Sequence, residues 1–238
     1  MNKLHIFTPV KDSLETSLKT IESVMNSEIA VDYNYTVYND FSTDETTEKL
    51  EQAAEKLGFT LVNLKDISMH PSPNYLMILQ TAQRRANFED AHLLIIESDI
   101  IVEKNTIQQM YESVSTLENP GLIAAITRDS NKKINSPYLF AKRYTSKVIS
   151  TKRELSFCCT LLTQSFLTSY NFDILNSERT WHDHFISNKS IELGFKNYLA
   201  VSMPVTHLQH SIYPWMHLKK TQPFKYYWKK LTGKFSDK

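Results

Sequence analysis

The run Leu93-Leu94-Ile95-Ile96-Glu97-Ser98-Asp99-Ile100-Ile101-Val102 decides how this chain is read. Four aliphatic residues lead into a Glu-x-Asp pair and three more follow. A continuous apolar stretch of this length marks a strand buried on both faces of a mostly parallel sheet. Carboxylates at its end are costly to bury unless something compensates them. In open α/β sheets, ligands sit at the carboxyl ends of the strands. The oxygens of Glu97 and Asp99 suit a hard cation, Mg2+ or Mn2+, bridged to a substrate's phosphates. The same two acids also fit a strand that ends and surfaces in water. From this stretch alone both readings stand.

Upstream, the chain alternates. Lys3 to Val10 reads as a strand stopped at Pro9, since proline cannot donate within a central ladder. Asp12 and Glu15 match a capping box before Leu14, Leu18, Ile21 and Met25 at helical spacing. A second strand over 33–38 and a helix over 44–57 follow, with Gly58 as the helix stop. Residues 59–64 give a third strand and 74–87 a helix, the latter after a loop punctuated by Pro71 and Pro73. Strand 92–97 and a helix from Asn105 to Leu117 complete the regular half. This alternation calls for a parallel sheet with crossover helices, an α/β fold. Downstream the order loosens. Strands are expected over 121–126, 156–162 and 195–201, a helix over 180–193 with Gly194 as its stop, and 128–155 has no clear period.

With 238 residues, 41% of them hydrophobic and 22% charged, the chain can bury a full core. No apolar run is long enough to cross a bilayer and the N-terminus lacks a signal peptide's apolar core, so a cytoplasmic location is expected. The only cysteines, Cys158 and Cys159, are adjacent and read as small buried residues of a reducing compartment. From Lys219 onward seven lysines and one acid give +6, which leaves −5 on the first 218 residues of a chain of net charge +1. An acidic body with a basic tail does not fit a nucleic-acid binder.

A second acidic motif, Asn39-Asp40-Phe41-Ser42-Thr43-Asp44, follows the second strand and opens a helix. Its carboxylate can accept hydrogen bonds from a base or a ribose. Ser42 and Glu45 also make a capping box, and Asp44 suits a first helical turn. Thr8-Pro9 closes the first strand, Trp181-His182-Asp183 opens a later helix, Glu192-Leu193-Gly194-Phe195 ends it, and His207 comes late. In this order the motifs resemble the inverting glycosyltransferases of the GT-A fold (family 2-like), over about residues 3–210.

The resemblance implies a nucleotide-sugar donor, a saccharide or lipid-linked acceptor, and a role in surface polysaccharide or glycoconjugate synthesis. It implies a single domain over 1–218, with a nucleotide-binding half over about 1–103 and an acceptor-side half over about 104–218. Asp40 would contact the nucleobase, with Thr8 and Pro9 lining the same pocket. Glu97 and Ser98 would lie near the ribose, and Asp99 would hold the metal bound to the diphosphate. His207 would be a further metal or diphosphate ligand, although a hydrogen-bonded structural histidine fits the position equally, and Asp183 the general base. The chain departs from the family pattern at Phe41, usually a small residue, at Glu97, usually Asp, and at His182, usually an acid. Gln80-Thr81-Ala82 leading to Ala86 also replaces the usual Asn-x-Gly-x-x-x-Ala.

Thr180 and Asp183 also match a capping box, so Asp183 has a helix-start reading as well. His182, His184, His207 and His210 lack the spacing of a zinc site. Arg84 and Arg85 could reach a phosphate, although adjacent helix residues point apart. In the tail, Phe224, Tyr227, Trp228, Leu231 and Phe235 share one helical face flanked by lysines. That is the pattern of a helix lying on an anionic membrane surface, which would place residues 219–238 at the inner face of the membrane. Two other functions fit parts of the pattern. One is a sugar nucleotidyltransferase of related fold, although no glycine precedes Gly58. The other is a non-catalytic sugar-nucleotide or glycan-binding module.

Overall fold

The computed structural model describes residues 2–144, 146–176 and 181–208. The expected basic tail, along with Thr180 and His210, lies outside the described residues. Strands β1 (Lys3–Val10), β2 (Tyr33–Asn39), β3 (Thr60–Asn63) and β4 (Ala91–Ile96) alternate with helices α1 (Leu14–Met25), α2 (Asp44–Leu57) and α3 (Tyr75–Phe88). Then come β5 (Ile100–Ile101), α4 (Thr106–Thr116), β6 (Pro120–Arg128), β7 (Val148–Thr151), β8 (Cys159–Leu162), α5 (Gln164–Ser169), α6 (His182–Glu192) and β9 (Lys196–His207). They form one sheet in the order β3-β2-β1-β4-β8-β6-β9-β5, with β7 also paired to β9. Strands β1 to β4 are mutually parallel; β8 enters antiparallel between β4 and β6, and β9 runs parallel to β6. This is the mixed, mostly parallel α/β sheet expected.

Alternation along β4 builds the two cores. All six of its residues are buried. Leu93 and Ile95 join one apolar cluster with Ile78, Leu79 and Ala82 of α3, Phe166 of α5 and Ile186 of α6. Leu94 and Ile96 join the other with Ile21 and Val24 of α1, Leu50 of α2 and Met110 of α4. Each Leu or Ile sunk this way contributes about 1.5–3 kcal/mol relative to exposure. Helices therefore cover both faces, and only strand ends are left for polar chemistry.

The opening run is not one strand. Ile100 N donates to Glu97 O at 3.1 Å, which closes a turn, and Ile100-Ile101 then pair with His207 and Thr206 of β9 at the opposite edge. Pro9 is tolerated inside β1 for a specific reason. Val10 O accepts from Asp40 N on the β2 side, so Pro9 faces the β4 side, where the ladder has ended at Phe7–Ile95. β9 extends six residues beyond its expected end, because a bulge between Ala200 and Pro204 keeps it paired to β6. Strand β7, inside the stretch without clear period, was not expected; its four residues are too few to show alternation. Gly58 and Gly194 end α2 and α6 with φ of +83° and +88°.

Candidate active site

The carboxyl ends of β1, β2 and β4 meet the turn 97–99. Asp99 is held there by backbone and side chain together. Its carbonyl accepts from Leu208 N at 2.8 Å, and its Oδ2 lies 3.0 Å from His207 Nε2, with the two side chains 15% and 14% exposed. The other oxygen, Oδ1, is buried and has no hydrogen-bond partner among the described residues. Its bond to Asp99 holds the His207 imidazole above its usual range, against the effect of burial. Glu97 goes the other way for a carboxyl. Burial and the nearby charge of Asp99 push it up to about 7.

Asp40 is 6% exposed and its carboxylate is already engaged. It accepts from Ser72 Oγ at 2.8 Å, Asn74 N at 2.9 Å and Asn74 Nδ2 at 2.7 Å. The acid thereby fixes the loop that launches α3. Around it the expected caps are rearranged. Thr43, not Ser42, caps α2, its Oγ1 accepting from Thr46 N. Ser42 Oγ accepts from Asp12 N at 3.0 Å, and Asp12 Oδ1 accepts from Thr43 N at 2.7 Å. Asp12 is therefore consumed in tying two strand-end loops together, and α1 starts after Ser13 without a side-chain cap. Lys11 donates to Phe41 O and pairs with Asp12 at 3.0 Å.

A cleft of about 340 Å3 brings together Pro9, Asp40, Glu97, Ser98 and Asp99, with Lys11, Ser72 and Tyr75; His207 touches Asp99 but is not in the cleft's lining. Thr8 does not line it. Its hydroxyl is buried and accepts from Tyr35 OH at 2.9 Å. Tyr75 forms the wall toward α6. Its ring stacks on His182 at 6.4 Å between centroids, its hydroxyl is buried without a partner among the described residues, and the charges of Glu97 and Asp183 add to burial in raising its pKa. Asp183, on the first turn of α6, thus stands beyond Tyr75, within electrostatic reach of the cleft but outside its lining. Its Oδ1 accepts from His184 N at 2.8 Å, and burial raises its pKa. Burial lowers that of His182, which favours the neutral ring.

Other candidates separate. His184 pairs with Glu154 at 3.3 Å, away from His182 and His207. Arg84 pairs with Asp173 and Arg85 with Glu89, so neither arginine lines the cleft; surface carboxylates on and beside α3 take them. Among the described residues no three His, Cys, Asp or Glu converge as a metal cage. Cys158 and Cys159 are buried thiols, the latter pushed up to about 12 by burial. Sequence reasoning missed Lys11, Ser72, Asn74 and Tyr75. For Ser72, Asn74 and Tyr75 the Pro71-x-Pro73 loop is the one local signal, and it marks a turn rather than a ligand.

No family model matches the chain, and no curated protein does. Solved structures do match. A fragment of S. aureus TarS (residues 1–349) in complex with UDP-GlcNAc is 14% identical, with a TM-score of 0.68 over 88% of this chain and 59% of that one. Mannosyltransferase PcManGT from Pyrobaculum calidifontis, with GDP-Man and Mn2+, is 13% identical, with a TM-score of 0.65 over 97% and 64%. GalNAc-T7 with UDP, GalNAc and Mn2+ is 11% identical, at 0.65 over 88% and 44%. The chain spans less than two thirds of each. Its fold is the GT-A fold of nucleotide-sugar glycosyltransferases.

Proposed function

We propose that the chain is a glycosyltransferase that moves a sugar from a nucleotide-diphosphate sugar to a hydroxyl of a saccharide or lipid-linked acceptor, with inversion. The observation that carries this reading is the buried, unpartnered Asp99 Oδ1 at the strand ends, with Asp183 across the Tyr75 wall. An orphan carboxylate oxygen beside an imidazole fits a cation that takes one or two protein ligands and completes its shell with phosphates. Asp99 and His207 would hold Mg2+ or Mn2+, and the Mn2+ in two matching structures supports that choice. Such a cation would offset the charge developing on the leaving diphosphate.

The chain's own residues supply the rest. Asp40, fixed by Ser72 and Asn74, and Pro9 form the base and ribose end of the donor pocket, with Glu97 and Ser98 beside them. Asp183 takes the acceptor's proton as that oxygen attacks the anomeric carbon and the bond to the diphosphate breaks. Burial brings this carboxyl nearer the operating pH, as a general base requires. In this reading 1–103 serve the donor, 104–218 the acceptor, and 219–238 an anionic membrane surface.

A panel of UDP- and GDP-sugars with Mn2+, scored by thermal shift and then by transfer, tests it. Asp99→Asn and Asp183→Asn are each expected to lower transfer at least about 100-fold, with melting temperatures near wild type. Wild-type turnover by Asp183→Asn would remove it from the mechanism. One observation favours a non-catalytic binding module instead: Glu97, held up to about 7, weakens the acidic site for a cation. Donor binding indifferent to Mn2+, without turnover, would select that module.

A further inference from the structure

The stretch between β6 and β8 carries a charge that the donor site does not use. From Arg128 to Glu154 there are eight basic and two acidic residues, or +6. The rest of the first 218 residues carries −11. Seven of the cations are exposed: Lys132, Lys133, Lys142, Arg143, Lys147, Lys152 and Arg153. None of the seven is in an ion pair among the described residues. Concentrated like charge on an otherwise acidic molecule is self-repelling, and it draws a partner of opposite sign.

This stretch is also fastened against the candidate site. Arg128 pairs in register with Thr206, next to His207. Tyr138 is buried, with its OH accepting from Ser156 N at 3.0 Å. Glu154 meets His184 at 3.3 Å, and Leu155 N donates to Ser187 Oγ at 3.0 Å, both on α6. The end of the stretch folds back on its middle, where the Arg153 guanidinium lies 4.7 Å from the Phe140 ring. Arg153 is thus held against the segment that carries Lys142 and Arg143, and its neighbour Glu154 meets α6 at His184, next to Asp183.

Resting on the glycosyl-transfer reading above, we propose that this basic face docks an anionic glycan acceptor, a saccharide chain bearing phosphate or carboxylate groups. A chain of that kind can lay its charges on the lysines while one hydroxyl reaches toward Asp183. A membrane surface fits less well, because interfacial binding needs free apolar side chains on the contact face. Here Arg153 covers Phe140, and the exposed apolar side chains are Leu139 and Tyr144, the latter with Arg143 5.2 Å over its ring. The same covering leaves few rings for nucleic-acid bases to stack on.

The test compares the full chain with its Lys142→Glu/Lys147→Glu/Lys152→Glu variant. Polygalacturonate and long-chain polyphosphate are the anionic probes, beside neutral dextran, phosphatidylglycerol vesicles and duplex DNA. Wild type is expected to bind both anionic probes, more weakly as salt rises, and not dextran. The variant is expected to bind them at least about tenfold more weakly at low salt, with unchanged melting temperature and unchanged thermal shift by UDP or GDP with Mn2+. Equal affinity in variant and wild type overturns the proposal by assigning binding to the basic tail. A preference of the same lysines for vesicles or DNA overturns the acceptor class. Lysine-dependent glycan binding in a chain that no nucleotide stabilises supports the docking face and overturns the donor site alone.

Discussion

At Tyr75 the phenol oxygen is buried within the field of two acids and meets no partner among the described residues, which is costly for a polar group out of water. Tyr75→Phe removes that oxygen and leaves the ring on His182. The ligand-free variant is expected to match or exceed wild type in stability, by up to about 2 kcal/mol in urea denaturation. A loss of stability would mean the hydroxyl is bonded in solution. Residues such as this are hard to find in a sequence. Glu97 and Asp99 stand out because acids interrupt an aliphatic run, and Asp40 because it follows a strand. Tyr75 sits at the start of an amphipathic helix, where an aromatic is ordinary, and its partners lie more than 20 residues away. Asp12 misleads for the same reason. Its capping pattern is local, but its hydrogen bonds go to Thr43 and Ser42.

Among the elements, β6 approaches α6 and β9 closely at Gly121. A Cβ there would stand 2.1 Å from Ser190 Oγ and 2.8 Å from Phe195 Cβ. Ser190 cannot swing aside freely, because its hydroxyl donates to Asn197 Oδ1 at 2.8 Å in a buried pair. Gly121→Ala should therefore destabilise by about 1–3 kcal/mol in urea denaturation, as overpacking does. Adding Ser190→Ala should recover only part of it, since Phe195 remains. Element type followed from periodicity for α1 to α4 and for β1 to β4, where apolar spacing and stop signals agree. The bulged β9, the two-residue β5 and the short β7 depend on pairing with distant strands. No local pattern encodes that.

Taken whole, the molecule buries the imidazoles of His5 and His92, which lowers their pKa values from 6.5 to about 4, and burial lowers the pKa of His182 too. Both nitrogens of His5 lack partners among the described residues, and Nδ1 of His92 accepts from Gln164 N at 2.9 Å. A lowered histidine pKa means that the unfolded chain takes up protons first. Its stabilisation is whole above pH 6.5 and is lost as pH falls toward 4. Glu97, raised to about 7, works in the opposite sense, so the total slope mixes both. Comparison with His5→Leu isolates one term. Relative to wild type, that variant should gain about 2–3 kcal/mol between pH 7 and 4.5 in urea denaturation. A constant difference across that range would show that His5 takes up its proton as readily in the folded chain as in the unfolded one.

The sequence by itself determined the α/β class, the helix stops at Gly58 and Gly194, the buried strand β4 and the acidic pair at its end. These rest on periodicity and on neighbours within a few positions, which a linear chain displays. Tertiary structure alone decided that the opening run breaks into two strands, that Asp99 faces His207, and that Asp183 stands beyond Tyr75, outside the lining of the cleft. It also decided that the basic stretch 128–154 is tied to β9 through Arg128 and to α6 through Glu154. The reason is physical: the hydrogen bonds and desolvation that set these groups' charge come from residues distant in the chain, and only the packed sheet brings them within reach.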